Sequence, residues 1–226
     1  MPKKNLKNKK ILITAGPTRE YLDPVRYLIN PSSGEMGFAL ARVLNQWGAT
    51  VTVVAGPTAV AAPSFCDLFP VTTALQMFSQ VQKKLPHMDA FIATAAVADF
   101  RFKAVLKEKM KKGNKKYFSV TLVRNPDILA EAGRWKSRQK GSRPLLIGFS
   151  LETENLEKNA KEKLVHKNLD LIIGNTPASF SKKVIQPFWL EKSGFKKSFP
   201  KMSKEALSKK IAGWLAQTFE RRSRCE

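Results

Sequence analysis

The stretch KILITA at residues 10–15 decides the fold class of this chain. A short apolar run of this kind, ended by Gly16-Pro17, is typical of a strand that is buried on both faces of a sheet. Residues 16–33 read as a long polar loop. Apolar residues then recur at helical spacing over residues 34–47, and Gly48 ends that pattern. The opening therefore predicts a strand, a loop and a helix that packs back on the strand.

The same alternation continues over most of the chain. Further strands are predicted at residues 50–55, 89–95, 145–149 and 169–173, and helices at residues 75–85, 152–167 and 204–219. Strands that alternate with helices predict an α/β fold with a largely parallel sheet covered on both faces. Ligands of such folds bind at the carboxyl ends of the strands. Since there is no internal repeat or low-complexity linker, residues 1–226 are predicted to form a single domain.

Two segments break the alternation. Residues 101–123 are charged and then alternate, which predicts a flexible flap followed by a strand through Tyr117 and Val123. Residues 184–199 carry two aromatic-rich runs around Ser193-Gly194, which predicts a hairpin before the last helix.

The composition excludes several classes of protein. With 226 residues, of which 43% are hydrophobic, the chain can form a core, so disorder throughout is excluded. Cys66 and Cys225 are far apart, which excludes a disulfide framework and argues against a thiolate metal site. The longest uncharged stretch, residues 43–66, is interrupted by glycine and proline and is not a membrane span. The amino terminus lacks the apolar region of a secretory signal, so a cytoplasmic protein is predicted.

The net charge of +22 creates a potential that attracts anions, whether nucleic acid, acidic membrane or phosphorylated small molecules. Binding of nucleic acid through phosphate contacts is one hypothesis, but no helix-turn-helix, zinc-finger, RNA-recognition or KH signature accompanies the charge. A basic surface without such a partner is the favoured interpretation.

The turn at residues 32–37, SSGEMG, resembles G-x-G-x-x-G with serine in the first position. Gly34 allows close approach of a ligand to the backbone, and the amino terminus of the following helix favours phosphate or carboxylate. For Gly37, packing of the helix on the sheet explains the glycine nearly as well. The preceding loop is too long for a dinucleotide turn and the strand at residues 50–55 is not followed by an acidic residue, so a nicotinamide oxidoreductase is disfavoured.

Other polar residues near predicted strand ends have two interpretations each. Arg26 and Asn30 could hold a phosphate or carboxylate, or could belong to a salt-bridged surface loop. The remaining candidates could contact a nucleotide, or could be helix caps and solvated lysines; they are Asp99, the run Asn125, Pro126, Asp127 and Ile128, and the pair Lys163 and Lys167. The residues alone predict an α/β protein that binds phosphorylated anions.

The order of these motifs resembles the phosphopantothenate–cysteine ligase family of coenzyme A synthesis. The resemblance covers roughly residues 10–175 and lies in residues 11–20, 23–26, 30, 32–34, 36–37, 95–99, 109–112, 125–128, 148–149, 152–153 and 167–175, whereas Glu35 stands where bacterial relatives often carry lysine. Several motifs in the same order are far more specific than any one of them.

The resemblance implies a Rossmann-like fold, a homodimer, and CTP with Mg²⁺ as the nucleotide substrate of the bacterial form. It implies transfer of a cytidylyl group to 4'-phosphopantothenate, and attack of the cysteine amine on the acyl-cytidylate. Only nine residues precede the first predicted strand, so decarboxylation is expected from a separate partner and no flavin is expected here.

The resemblance also implies roles for individual residues. Asn30 and Arg26 would hold phosphopantothenate and the acyl-cytidylate beside Gly34, and Lys109 would lie on a mobile flap that closes on the reacting phosphates. The nucleotide would be surrounded by Ala95, Asp99, Asn125, Pro126, Asp127, Ile128, Phe149, Lys163 and Lys167, with Asn175 as a weaker candidate. The metal ligands remain unassigned.

Overall fold

The structure is a computed structural model, and it describes residues 5–113, 116–140, 144–175 and 184–224. The strands are β1 (Lys10–Ala15), β2 (Arg19–Tyr21), β3 (Tyr27–Ile29), β4 (Thr50–Ala55), β5 (Asp67–Pro70), β6 (Ala90–Ala93), β7 (Phe100–Phe102), β8 (Leu122–Arg124), β9 (Leu145–Leu151), β10 (Leu171–Asn175), β11 (Val184–Ile185), β12 (Phe188–Glu191), β13 (Lys196–Ser198) and β14 (Met202–Ser203). The helices are α1 (Glu35–Gln46), α2 (Ala74–Lys84), α3 (Ile128–Arg138), α4 (Leu156–His166) and α5 (Lys204–Ser223), with a 3-10 turn at Leu85–His87.

Eight strands form the central sheet in the order β13-β12-β10-β9-β6-β1-β4-β5. The six strands from β10 to β5 run parallel, and β12 and β13 extend the sheet as an antiparallel hairpin. The prediction of a largely parallel sheet and a Rossmann-like fold is confirmed. The strand order reverses beside β1, and the cleft outside such a reversal is where ligands bind in this architecture.

Two apolar cores cover the two faces of the sheet, because successive side chains of a strand point to opposite faces. Ile11 and Ile13 pack in the core under α1 and α5, whereas Leu12 packs in the core under α2, α3 and α4. This alternation explains why residues 11–13 are apolar without a break: all three side chains are buried. The fold therefore has three layers, with a helical layer on each side of the sheet.

The long loop at residues 16–33 is not irregular throughout, as the sequence suggested. β2 and β3 pair there as an antiparallel hairpin that lies outside the central sheet. Buried Glu20 ties the hairpin to the protein, since its carboxylate accepts a hydrogen bond from the Ala74 amide at the start of α2 at 2.8 Å. Three-residue strands are too short to produce a recognisable period in the sequence.

The flap prediction is corrected in its second half. The alternating residues 117–121 are not a strand. Tyr117 is 86% exposed, so the alternating side chains do not pack against the protein. The strand there is β8, which pairs with β7 in a separate two-stranded ribbon. We use "flap" for residues 103–121, the segment between β7 and β8.

Other boundaries move by a few residues. The predicted helix at residues 152–167 begins later, at Leu156, because β9 continues to Leu151 and Asn155 adopts a left-handed conformation with φ of 51°. The predicted hairpin forms from β12 and β13, while β11 pairs instead with β14. α3 and β5 were not predicted.

In the part of the chain that the structure describes, no helix is both long enough and apolar enough to cross a bilayer. Cys225 lies outside the described residues.

Candidate active site

A cavity of about 220 Å³ opens at the carboxyl ends of the parallel strands. It is lined by the turn into α1, by the segment after β6, by the ends of β9 and β10, and by one residue each from β11 and α5. Three predicted site residues line it: Gly34, Ala95 and Phe149, joined by the weaker candidate Asn175. The sheet thus places the cavity where its topology predicts a ligand.

The turn at Gly34 has the geometry of an anion site. Gly34 is the N-cap of α1 and has a φ of 77°, a left-handed conformation that side chains other than glycine rarely adopt. A Cβ on Gly34 would lie 2.6 Å from Thr58 Cγ2, so the space as well as the backbone requires glycine. Amides in the first turn of a helix lack helical partners and point outward, together with the positive end of the helix dipole. This turn can therefore bind a phosphate or a carboxylate.

Gly37 serves close packing of α1 on the sheet. A Cβ there would lie 2.6 Å from the Ala15 Cβ and 2.9 Å from Thr94 Oγ1. Gly37 also lines the cavity. It therefore contacts both the sheet, as the packing interpretation predicts, and the space where a ligand would bind.

A second group of polar residues lies beside the segment after β6. Asn30 Nδ2 donates to the Val97 carbonyl at 3.1 Å, and Asn125 Nδ2 donates to the Ala98 carbonyl at 2.8 Å. The Asn125 backbone N–H donates to the Asp99 carbonyl at 2.8 Å, and Asp99 itself is exposed. The structure therefore brings Asn30 and Asn125, from two other segments, to the loop after β6 that carries Asp99.

Arg26 contacts the flap at Met110, the residue after Lys109. Arg26 Nη2 donates to the Met110 carbonyl at 2.6 Å, and Arg26 Nε lies 3.6 Å from Asp23 Oδ2. Lys109, the residue before Met110, is exposed. The Arg26 guanidinium thus holds the flap backbone next to the lysine that was predicted to close on phosphates.

The two lysines of α4 pair with different carboxylates. Lys163 Nζ lies 2.5 Å from Glu152 Oε1 and 3.5 Å from the hydroxyl of Ser150, a residue that lines the cavity. Lys167, which caps the end of α4, lies 2.7 Å from Asp127 Oδ2. Each of the two ammonium groups therefore has its own carboxylate partner in this structure.

Both of these carboxyls have depressed pKa values. Burial raises the pKa of Glu152, but the hydrogen bonds from Lys163, Ser150 and Asn159 outweigh burial and hold it below its usual value. For Asp127, partial burial again raises the pKa, and the hydrogen bonds from Lys167 and the Ala130 amide lower it further than burial raises it. Asp127 accepts that amide as the N-cap of α3, so the helix-cap interpretation holds for it. Both acids are charged at neutral pH.

The predicted set is thus spread over the cavity and its rim. Within the described chain, Arg26, Asn30 and Asp99 do not line the 220 Å³ cavity itself. Pro126 is half-buried, and Ile128 packs in the core under α2, α3 and α4. Sequence reasoning missed Lys204 and Ser150, which do line the cavity. Lys204 lies 169 residues from its partner Glu35, and no local spacing in the sequence could have joined them.

A largely parallel, doubly wound sheet with a glycine turn and a helix amino terminus at its carboxyl edge defines a Rossmann-like ligand-binding protein. The chain belongs to the family described as DNA/pantothenate metabolism flavoprotein C-terminal domain, whose model matches residues 6–219. This result confirms the resemblance drawn from the ordered motifs.

Relatives and solved structures agree with this family. The coenzyme A biosynthesis bifunctional protein CoaBC of Vibrio cholerae is 41% identical over 215 residues, which are 92% of this chain and 52% of that protein. The CoaBC protein of Escherichia coli K12 is 45% identical over 178 residues, which are 77% of this chain and 42% of that protein. A crystal structure of the C-terminal domain of a CoaBC protein superimposes with a TM-score of 0.80 at 36% identity, covering 96% of this chain and 98% of that one. The chain spans about half the length of the curated relatives it matches.

Proposed function

We propose that this chain is a phosphopantothenate–cysteine ligase of coenzyme A biosynthesis that uses CTP. The observation that carries the proposal is the match of residues 6–219 to a family whose relatives are coenzyme A biosynthesis proteins, with 98% of a CoaBC C-terminal domain covered. The cavity at the carboxyl edge supports it, because its glycine turn and helix amino terminus suit a phosphorylated substrate.

The reaction has two steps. A carboxylate oxygen of 4'-phosphopantothenate attacks the α-phosphorus of CTP, and the bond to pyrophosphate breaks. The amine of cysteine then attacks the acyl carbon of the resulting acyl-cytidylate, the bond to CMP breaks, and the amine loses a proton. Both steps depend more on alignment and on neutralising phosphate charge than on a strong protein base.

Residues at different places around the cavity bind different parts of the substrates. The α1 turn at Gly34 holds phosphate oxygens, and the segment that carries Ala95 and Asp99 contacts the nucleotide together with Phe149. Arg26 lies in the turn of the β2–β3 hairpin and Asn30 directly follows β3. Both residues approach the acyl group from the side of the flap. Lys109 brings a positive charge to the reacting phosphates when the flap lies over them, and exclusion of water protects the acyl-cytidylate from hydrolysis.

The Lys163 and Lys167 ammonium groups add to the positive field at the nucleotide. Each is already paired, with Glu152 and Asp127 respectively. Their contribution to phosphate binding is therefore reduced by these carboxylates, and the lysines are better suited to orienting α4 and the α3 amino terminus beside the ligand.

A magnesium cage made by the protein alone does not fit the residues present. Among the described residues there is no cluster of three or more His, Cys, Asp or Glu side chains that could hold a metal ion. Mg²⁺ commonly binds through substrate phosphates and water with few protein carboxylates. We therefore assign Mg²⁺ to the nucleotide, as part of the substrate, and we assign no flavin to this domain.

A homodimer is the proposed assembly, and exposed apolar side chains support it. Tyr27, Leu28 and Ile29 on β3 are each more than a third exposed, as are Phe100 on β7 and Leu122 on β8. Apolar residues on two neighbouring ribbons are typical of a surface that a second chain covers. Light scattering at several concentrations would test it, with a monomer at all of them as the contrary result.

The proposed reaction is tested by its first half. With CTP and 4'-phosphopantothenate but no cysteine, the chain should release pyrophosphate in an amount close to the enzyme concentration, since the acyl-cytidylate stays bound. Replacing CTP with ATP should lower the rate. Release of pyrophosphate from CTP without phosphopantothenate, at the same rate, would contradict the proposal.

A further inference from the structure

The cavity contains one pair of opposite charges. Among the described residues that line it, Glu35 is the one acidic side chain and Lys204 the one basic side chain, and they form an ion pair with each other. Glu35 is the first residue of α1, and Lys204 is the first residue of α5.

Lys204 is held in place by the helix it begins. The Ser203 hydroxyl caps α5 by accepting a hydrogen bond from the Ala206 amide at 3.1 Å. Leu207 and Ile211 on the same helix are fully buried in the core that α5 shares with α1. The Lys204 side chain is 18% exposed, so its ammonium faces the cavity from a fixed backbone.

The position of Glu35 calls for a cation. A carboxylate in the first turn of a helix interacts favourably with the positive end of the helix dipole. The same carboxylate repels a phosphate that binds at that turn. A lysine ammonium has three donors and no acceptor, so Lys204 can donate to Glu35 and to a phosphate oxygen at the same time. Charge-assisted hydrogen bonds of this kind are stronger than those between neutral groups.

We propose that Lys204 contacts the substrate, with its ammonium bridging Glu35 and a phosphate group bound over the first turn of α1. The ligand chemistry is a phosphate ester or a polyphosphate. Identification of the phosphate compound rests on the proposed function, which offers two sources: CTP and the phosphate of 4'-phosphopantothenate.

Lys204→Met tests the contact because it removes the charge and keeps an unbranched chain. Binding of CTP, of inorganic pyrophosphate and of 4'-phosphopantothenate is measured separately by calorimetry. We expect the affinity for at least one of them to fall by about 10-fold to 100-fold, the range of a hydrogen bond to a charged group. Loss for CTP and pyrophosphate assigns the contact to the nucleotide, and loss for phosphopantothenate alone assigns it to that substrate. Lys204→Arg should retain most of the affinity.

Lys209→Met is the matched control. Lys209 lies on the same helix and pairs with Glu205 at 2.6 Å, but it is outside the cavity lining. We expect this variant to bind all three phosphate compounds like the wild-type chain.

The double variant Glu35→Gln/Lys204→Met separates a substrate contact from mere neutralisation of Glu35. If Lys204 only masks that acid, removing both groups restores wild-type affinity, and this result would overturn the proposal. If Lys204 contacts phosphate, the double variant stays about 10-fold weaker than Glu35→Gln alone.

The two proposals fail in different ways. Absence of CMP formation by the wild-type chain with all substrates contradicts the ligase, while the titrations with CTP and pyrophosphate still report on Lys204. Unchanged affinity of Lys204→Met for all three compounds, or no binding of any of them by the wild-type chain, contradicts the role of Lys204.

Discussion

Asp23 fixes the backbone of Met110 on the flap. Asp23 Oδ2 accepts a hydrogen bond from the Met110 amide at 3.1 Å, and the Asp23 residue is 0% exposed. The other carboxylate oxygen accepts the amides of Val25 and Arg26, each at 2.8 Å. Because Arg26 in turn donates to the Met110 carbonyl, both backbone polar groups of Met110 are held, directly after Lys109.

The Asp23 carboxylate is kept charged by these bonds. Burial raises its pKa, but the amide hydrogen bonds from Val25, Met110 and Arg26 and the Arg26 charge outweigh burial, so the pKa lies below its usual value. Asp23 is therefore charged at neutral pH, and because it holds the backbone of Met110, the residue after Lys109, we expect it to position Lys109.

Asp23→Asn should lower the rate of CMP formation by roughly 10-fold to 100-fold, the scale expected when a reacting group is misplaced by about 1 Å. The asparagine side chain replaces one carboxylate oxygen with an NH₂ group, which cannot accept the hydrogen bonds that the backbone amides donate to Asp23. The measurement is steady-state CMP release per folded protein. Glu20→Gln is the control, since Glu20 is buried on the same hairpin but bonds to α2. Equal turnover of Asp23→Asn and the wild-type chain would refute the positioning role.

Lys109→Gln should reduce turnover by about 100-fold or more, as expected for removal of one group that stabilises transition-state charge. Lys109 is exposed, so the melting temperature should stay within about 2 °C of wild type. Lys103→Gln serves as the control on the same flap, because Lys103 is also exposed and its backbone amide bonds to Thr121. A large drop in melting temperature for Lys109→Gln would mark the lysine as structural instead.

Asn30→Asp should slow amide formation more than pyrophosphate release. The substitution replaces the donor that bonds to the Val97 carbonyl and places a negative charge where the acyl-cytidylate is expected. Rapid quench of the two half-reactions distinguishes the steps, and circular dichroism checks that the fold is retained. If steady-state turnover is unchanged, Asn30 has no part in the reaction.

Gly34→Ala should destabilise the chain by about 1–3 kcal/mol and close the turn to anions. The cost has two sources, a φ of 77° and a contact of 2.6 Å with Thr58 Cγ2. Gly194→Ala isolates the first source, since Gly194 has a φ of 90° with nothing within 4 Å of its Cβ. Thermal melting of both variants gives the cost of the contact by difference, and equal losses would show that Thr58 does not confine the turn.

Glu152→Gln should lower stability at neutral pH but not in acid. Because the folded pKa of Glu152 is depressed, its stabilising contribution is full above the unfolded value of 4.5 and is lost as pH falls through the folded pKa. Melting temperatures of the variant and the wild-type chain, measured from neutral pH to below the folded pKa of Glu152, should become equal in acid. A difference that stays constant with pH would exclude an effect of the Glu152 charge.

The strands of the central sheet could be predicted because their burial leaves a strong signal. The observed bounds of β1 and β4 are the predicted ones, since short apolar runs ended by Gly-Pro allow few alternatives. β5 was missed because its edge position leaves Asp67 and Leu68 exposed, and α3 was missed because its proline-flanked start allowed a turn as well.

The site could be predicted only in part, for a different reason. Local motifs located Gly34, Ala95 and Phe149, which the topology brings to one cavity. The partners of the basic side chains depend on contacts between distant segments: Arg26 with the Met110 carbonyl, Lys167 with Asp127, and Lys204 with Glu35. No spacing within one motif encodes such pairs, so they required the folded chain.

The central claim is that this chain joins cysteine to a phosphorylated acid by way of a cytidylate. The direct measurement is CMP formation with CTP, 4'-phosphopantothenate and cysteine together, and with each omitted in turn. The account predicts steady CMP release only in the complete mixture. Steady CMP release that persists without phosphopantothenate or without cysteine, or its absence from the complete mixture, would contradict it.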